Sequence, residues 1–126
     1  MLHNIKKRNT NFLKVASAIY KQTDKYITIK WDHIDLLSNF AIPVICRTKE
    51  IRDRLVAKCK NKVEIRPIVG GDMIMQPFFK KHVIDQDESL LYPNARLVHE
   101  QGLYFCNNPE LTNKELEILI KIFTTD

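Results

Sequence analysis

The stretch Val63-Glu64-Ile65-Arg66-Pro67-Ile68-Val69-Gly70-Gly71-Asp72-Met73-Ile74-Met75-Gln76-Pro77-Phe78-Phe79 decides how this chain is read. The β-branched run from Val63 to Ile65 predicts a short strand. It delivers the fixed charge of Arg66 directly into Pro67, which biases Arg66 away from helix and leaves the guanidinium at the end of an extended segment. Gly70 and Gly71 then permit backbone angles or close approaches that a side chain forbids. Asp72, Met73, Met75 and the amide of Gln76 follow, before a second proline at Pro77. Spacing alone reads as a strand followed by a surface turn.

N-terminal to this stretch, Phe40 to Ile45 predicts a strand, with Pro43 placing it at an edge or an irregularity. Thr48 caps a helix that carries Glu50 in its first turn and runs to Lys60 with Ile51, Leu55 and Cys59 on one face. The result is a strand-helix-strand unit with Arg66 on its exit. Leu2 to Tyr20 is a helix with Ile5, Phe12, Ala16 and Ile19 on its apolar stripe and no capping residue before Leu2. Between them, Tyr26 to Ile29 is a short strand or an extended linker, Trp31 is expected to pack, and His33 is expected at the surface.

On the C-terminal side, Met75 to Tyr92 reads as a loop containing the polar run Asp85 to Ser89. Pro93 ends the loop, Asn94 caps a short helix, and Gly102 closes it before a third strand, Leu103 to Cys106. The last helix has the clearest local signature: a capping box at Thr112 and Glu115, and a hydrophobic staple of Leu111 with Leu116. Its buried stripe is Leu116, Leu119, Ile120 and Phe123.

A chain of 126 residues with 44% hydrophobic and 28% charged residues is expected to form one globular domain across 1–126. It has no apolar run of membrane-spanning length, and the cations at Lys6, Lys7 and Arg8 are not followed by the core of a signal peptide. Cys46, Cys59 and Cys106 lie far apart and read as reduced, structural thiols of a cytoplasmic protein. His3, His33, His82 and His99 are scattered, so no metal site is expected. The net charge of +5 is spread along the chain without aromatic-basic interleaving. That argues against nucleic acid and suits an anionic small molecule. There is no nucleophile elbow, and Gly70-Gly71 belongs to neither a P-loop nor a dinucleotide fingerprint.

The run Arg66-Pro67-Ile68-Val69-Gly70-Gly71-Asp72-Met73 leading into Gln76-Pro77-Phe78 resembles the C-terminal domain of the DegT/DnrJ/EryC1/StrS family of pyridoxal-phosphate-dependent sugar aminotransferases. Further matches fall in family order: Lys7-Arg8 with Phe12, Pro93-Asn94-Ala95, His99 to Gly102 with Leu103-Tyr104, and Asn108-Pro109 with Leu111-Thr112. The resemblance implies an α+β fold, a small and mostly antiparallel sheet flanked by helices. It implies the C-terminal part of a nucleotide-sugar aminotransferase or dehydratase of surface-polysaccharide or deoxysugar biosynthesis. In that family the cofactor lysine, the carboxylate facing the pyridinium nitrogen and the phosphate cup all lie in a preceding large domain. No segment here matches them, so a truncated or split product is expected, inactive alone and binding no pyridoxal phosphate by itself. Arg66, Asp72 and Gln76 are the substrate-binding candidates that the resemblance carries over. Asp72 stands where many relatives have asparagine, and its charge would oppose an anionic substrate. The partners implied are the large domain, or a second copy through the first helix, whose stripe has no N-terminal continuation. The alternative is a free-standing module for a nucleotide or nucleic acid that kept the fold without catalysis.

Overall fold

Alternation of side chains along Ala41–Cys46 (β2) builds the centre of the molecule: Ile42, Val44 and Cys46 are buried on one face, and Pro43 and Ile45 point to the other. The computed structural model describes residues 1–68, 70–82 and 92–125. Among these the remaining strands are β1 (Tyr26–Ile27), β3 (Ile65–Pro67) and β4 (Gly102–Cys106). They form one antiparallel sheet in the order β1-β2-β4-β3, flanked by α1 (Leu2–Ile19), α2 (Lys49–Cys59), α3 (Pro77–His82), α4 (Pro93–Gln101) and α5 (Asn113–Thr124). The fold is α+β, as expected.

The core lies between one sheet face and the helices. Phe12, Val15, Ala16 and Ile19 of α1 join Leu116, Leu119 and Phe123 of α5 over Ile42, Val44, Leu103 and Phe105, with the rings of Phe105 and Phe123 4.7 Å apart. The predicted stripe of α1 is therefore divided. From Phe12 onward it is this domain's own core, whereas Leu2 remains exposed and Ile5 half-buried. The capping box of α5 forms as read: Thr112 N–H and Oγ1 both donate to Glu115 Oε2, and Glu115 N–H donates back to Thr112 Oγ1. Thr48 likewise accepts from Ile51 N–H at the start of α2.

Expectations about proline, strand bounds and helix capping are refined by the structure. Pro43, expected at an edge or an irregularity, lies on an inner strand at a point that the outer strand does not reach. Its place is open because β1 pairs only with Ile45 and Cys46 and stops short of it. The Pro43 carbonyl instead accepts the Tyr20 hydroxyl at 2.9 Å, so a side chain stands where a strand would have paired. Pro67 is the proline that sits on an edge strand, and that strand is Ile65–Pro67, not Val63–Ile65. At α4, Pro93 is the first helical residue and Tyr92 precedes it without a side-chain cap, so Asn94 lies inside the helix. Gly102 closes α4 before β4 as expected, but it does so with extended backbone and not with a left-handed turn. A Cβ there would lie 2.7 Å from Ile68 Cγ1 and closer still to the Val98 carbonyl oxygen.

The predicted loop from Met75 to Tyr92 is partly helical. A 3-10 turn covers Met73–Met75 and α3 follows from Pro77, again with proline in a first-turn position. The polar run Asp85 to Ser89 lies outside the described residues. Two buried asparagines tie the chain's ends together. Asn107 Nδ2 donates to the carbonyls of Arg8 and Asn39, and Asn11 Nδ2 donates to that of Asn108. No helix among the described residues is long and apolar enough to cross a membrane.

Candidate functional site

Register along the edge of the sheet sets the site. Arg66 lies opposite Tyr104, between the pairs Ile65–Phe105 and Pro67–Leu103. Because Leu103 and Phe105 point into the core, Arg66 and Tyr104 share the other face. Arg66 is exposed, and its Nε donates to Glu64 Oε1 at 3.0 Å. That hydrogen bond, with the carboxylate's charge, raises the guanidinium pKa further above its ordinary value. Both partners are well exposed, so the pair holds Arg66 loosely and leaves it able to exchange Glu64 for another anion.

Beyond Pro67 the chain turns through two left-handed residues, Gly70 (φ 80) and Gly71 (φ 53). Gly71 is needed for a second reason. A Cβ there would stand 3.0 Å from His99 Cε1 and 3.1 Å from Cγ, and closer again to Nδ1. The backbone of this turn is thus pressed against the imidazole of α4, and the Asp72 N–H donates to His99 Nδ1 at 3.2 Å.

Asp72 is 1% exposed. Its Oδ1 accepts the Ile74 N–H and so caps the 3-10 turn, while Oδ2 has no hydrogen-bond partner among the described residues. Asp72 therefore builds the wall of the site from behind. Gln76 ends the turn half-buried, and Met75 Sδ accepts from Arg96 Nη1, which links the turn to α4 a second time.

These segments enclose an open groove of about 630 Å³. Its polar lining is Arg66, Gln76, His99 and Tyr104; its apolar walls are Pro67, Ile68, Met73 and Phe78. Of the candidates read from sequence, Arg66 and Gln76 face the groove together and Asp72 supports it. His99 and Tyr104 were not singled out as site residues. Strand alternation from Leu103 and Phe105 was the available signal for Tyr104. For His99 the only local hint was that two glycines in succession make room for something close.

Among the described residues, the groove's lining does not supply the groups that pyridoxal phosphate needs. Among those residues it contains no lysine to form a Schiff base and no carboxylate to face a pyridinium nitrogen, since Asp72 lies behind the wall with one oxygen engaged by Ile74. Among the described residues no three of histidine, cysteine, aspartate or glutamate gather closely enough to hold a metal ion. No family model matches this chain, and no curated protein matches it in sequence.

Proposed function

We propose that this domain is the small domain of a pyridoxal-phosphate-dependent nucleotide-sugar aminotransferase or dehydratase of surface-polysaccharide or deoxysugar biosynthesis. In this reading it lends substrate contacts to a reaction whose cofactor is held by a large domain. One observation carries it: two separate segments of the resemblance, Arg66 to Phe78 and His99 to Tyr104, close on a single groove. Arg66 holds an anionic part of the nucleotide sugar, Gln76 offers its amide, and Asp72 keeps the turn in place. The partner is the lysine-bearing large domain, or a second copy meeting it through the exposed start of α1 at Leu2. The reading places the protein in the cytoplasm, where Cys46, Cys59 and the exposed Cys106 keep their free thiols.

Titration of the chain with UDP-glucose, followed by amide NMR, tests the proposal. Shifts are expected at Arg66, Gln76 and Tyr104, and Arg66→Ala should weaken binding at least about tenfold, the loss of one charge-assisted hydrogen bond. Equal affinity in the variant would assign Arg66 to its ion pair with Glu64 alone. Borohydride trapping of pyridoxal phosphate on one lysine of this chain, in stoichiometric yield, would overturn the division of labour. Salt-sensitive binding of nucleic acid with no response to UDP-glucose would favour a free-standing binding module.

A further inference from the structure

The geometry points to His99 as a ligand-binding residue of the groove, a neutral donor whose Nε2–H reaches a phosphate or hydroxyl oxygen of a sugar phosphate ester. This deepens the reading of the groove given above and rests on it.

The argument starts from the Asp72 backbone. A peptide N–H can only donate, so the nitrogen it meets must present a lone pair. His99 Nδ1 is that nitrogen, at 3.2 Å. With Nδ1 accepting, the ring's proton sits on Nε2, and Nε2 lies on the side of the ring away from Asp72. The tautomer is thus set by the main chain, and the main chain can come so close only because residue 71 has no Cβ. His99 itself lines the groove and is exposed to it.

The lining makes the ligand class legible. Among the described residues Arg66 supplies the lining's single formal charge, paired with Glu64 just outside it; Gln76 supplies an amide, His99 one neutral N–H, and no carboxylate lines the groove. Such a surface is short of acceptors that would repel an anion and rich in donors that satisfy oxygens. Phe78, Met73 and Pro67 add flat apolar area on which a sugar ring or base can rest. A phosphate ester of a sugar presents both halves, with the guanidinium taking the charge and His99 an adjacent oxygen.

Two substitutions separate the ring's two nitrogens. In His99→Asn the side-chain oxygen can still accept the Asp72 N–H where Nδ1 stood, but nothing replaces Nε2. In His99→Gln the amide nitrogen reaches the position of Nε2, while the Nδ1 acceptor is lost. UDP-glucose is the probe, with affinity read by NMR titration of the whole chain. His99→Asn should bind about tenfold more weakly with its fold unchanged, and His99→Gln should recover part of that loss. The wild-type tautomer is read independently by long-range proton–nitrogen NMR, which should show Nε2 protonated and Nδ1 bare at neutral pH. A proton on Nδ1 would overturn the assignment whatever binds. Binding that depends on Arg66 but is unchanged in His99→Asn would remove His99 from the site and leave the groove standing. A wild-type chain with no shift at any groove residue would remove the groove reading and the role of His99 together.

Discussion

Replacing Gly71 by alanine probes the contact on which the groove wall depends, and its cost can be built from two parts. The first is conformational: at φ 53 an alanine occupies the left-handed region, at about 1–2 kcal/mol. The second is steric. The new Cβ falls within 3.0–3.1 Å of two ring carbons of His99 and nearer still to Nδ1, so the imidazole must leave. Its departure strips the Asp72 N–H of its acceptor in a residue that is 1% exposed, at about 1–3 kcal/mol. Together the loss is about 2–5 kcal/mol, a large part of the roughly 5–15 kcal/mol that holds a domain folded.

Gly70→Ala is the control. Its φ of 80 carries the same conformational cost, but the nearest atom to its Cβ is Met73 Sδ at 3.9 Å, so only about 1–2 kcal/mol should be lost. The decisive measurement is a double-mutant cycle by urea denaturation, at unchanged dependence on denaturant. In a His99→Ala background the clash and the hydrogen bond are already gone, so Gly71→Ala should cost only the conformational part. The two substitutions should therefore fall short of additivity by about 1–3 kcal/mol. Costs that add to within about 0.5 kcal/mol would refute the close packing of Gly71 on His99.

Two further predictions concern the scaffold. The Glu115 carboxyl is held below its ordinary pKa by the Thr112 hydroxyl and then by the Thr112 N–H. That stabilisation is present above the ordinary carboxylate pKa and is lost as pH falls through the lowered value. Thr112→Ala should cost about 1 kcal/mol at neutral pH and flatten the acid limb of the stability curve, as read by thermal melts. Among the thiols, Cys106 is exposed and should react at once with an aromatic disulfide reagent, whereas Cys46, pushed up to about 11 by burial, and Cys59, also raised, should react only on unfolding. For Cys46 the sign is that of a raised acid: stability is complete below the ordinary thiol pKa and declines as pH climbs toward about 11, and prompt labelling of Cys46 at neutral pH would contradict this core.

What the sequence determined alone is what neighbouring residues decide among themselves. The capping box of α5 spans Thr112 to Glu115, and the Thr48 cap of α2 reaches only to Ile51, so both were legible. The strands β2 and β4 were legible to within a residue because runs of β-branched and aromatic residues are a local signal, whereas the α+β class was reached through the resemblance. Proline was read less well. Pro77 and Pro93 each begin a helix, and at Pro93 the neighbouring Asn94 was read as the cap although it lies inside the helix.

The remainder was settled by residues far apart in the chain. Pro43 is tolerated on an inner strand because β1 is two residues long and because Tyr20, at the end of α1, brings its hydroxyl to the vacant side. The stripe of α1 could be read, but whether it faced a partner or its own sheet depended on how α5 packs beside it. Arg66, Asp72 and Gln76 were visible as chemistry on one stretch, and only the turn through Gly70 and Gly71 put Asp72 behind the wall and the other two along it. His99 lies on a different helix from that turn, and no local pattern links an imidazole to a glycine so distant in sequence. The hydrogen bond from the Asp72 N–H to His99 Nδ1 exists only once β3 pairs with β4, because that pairing carries α4 against the turn.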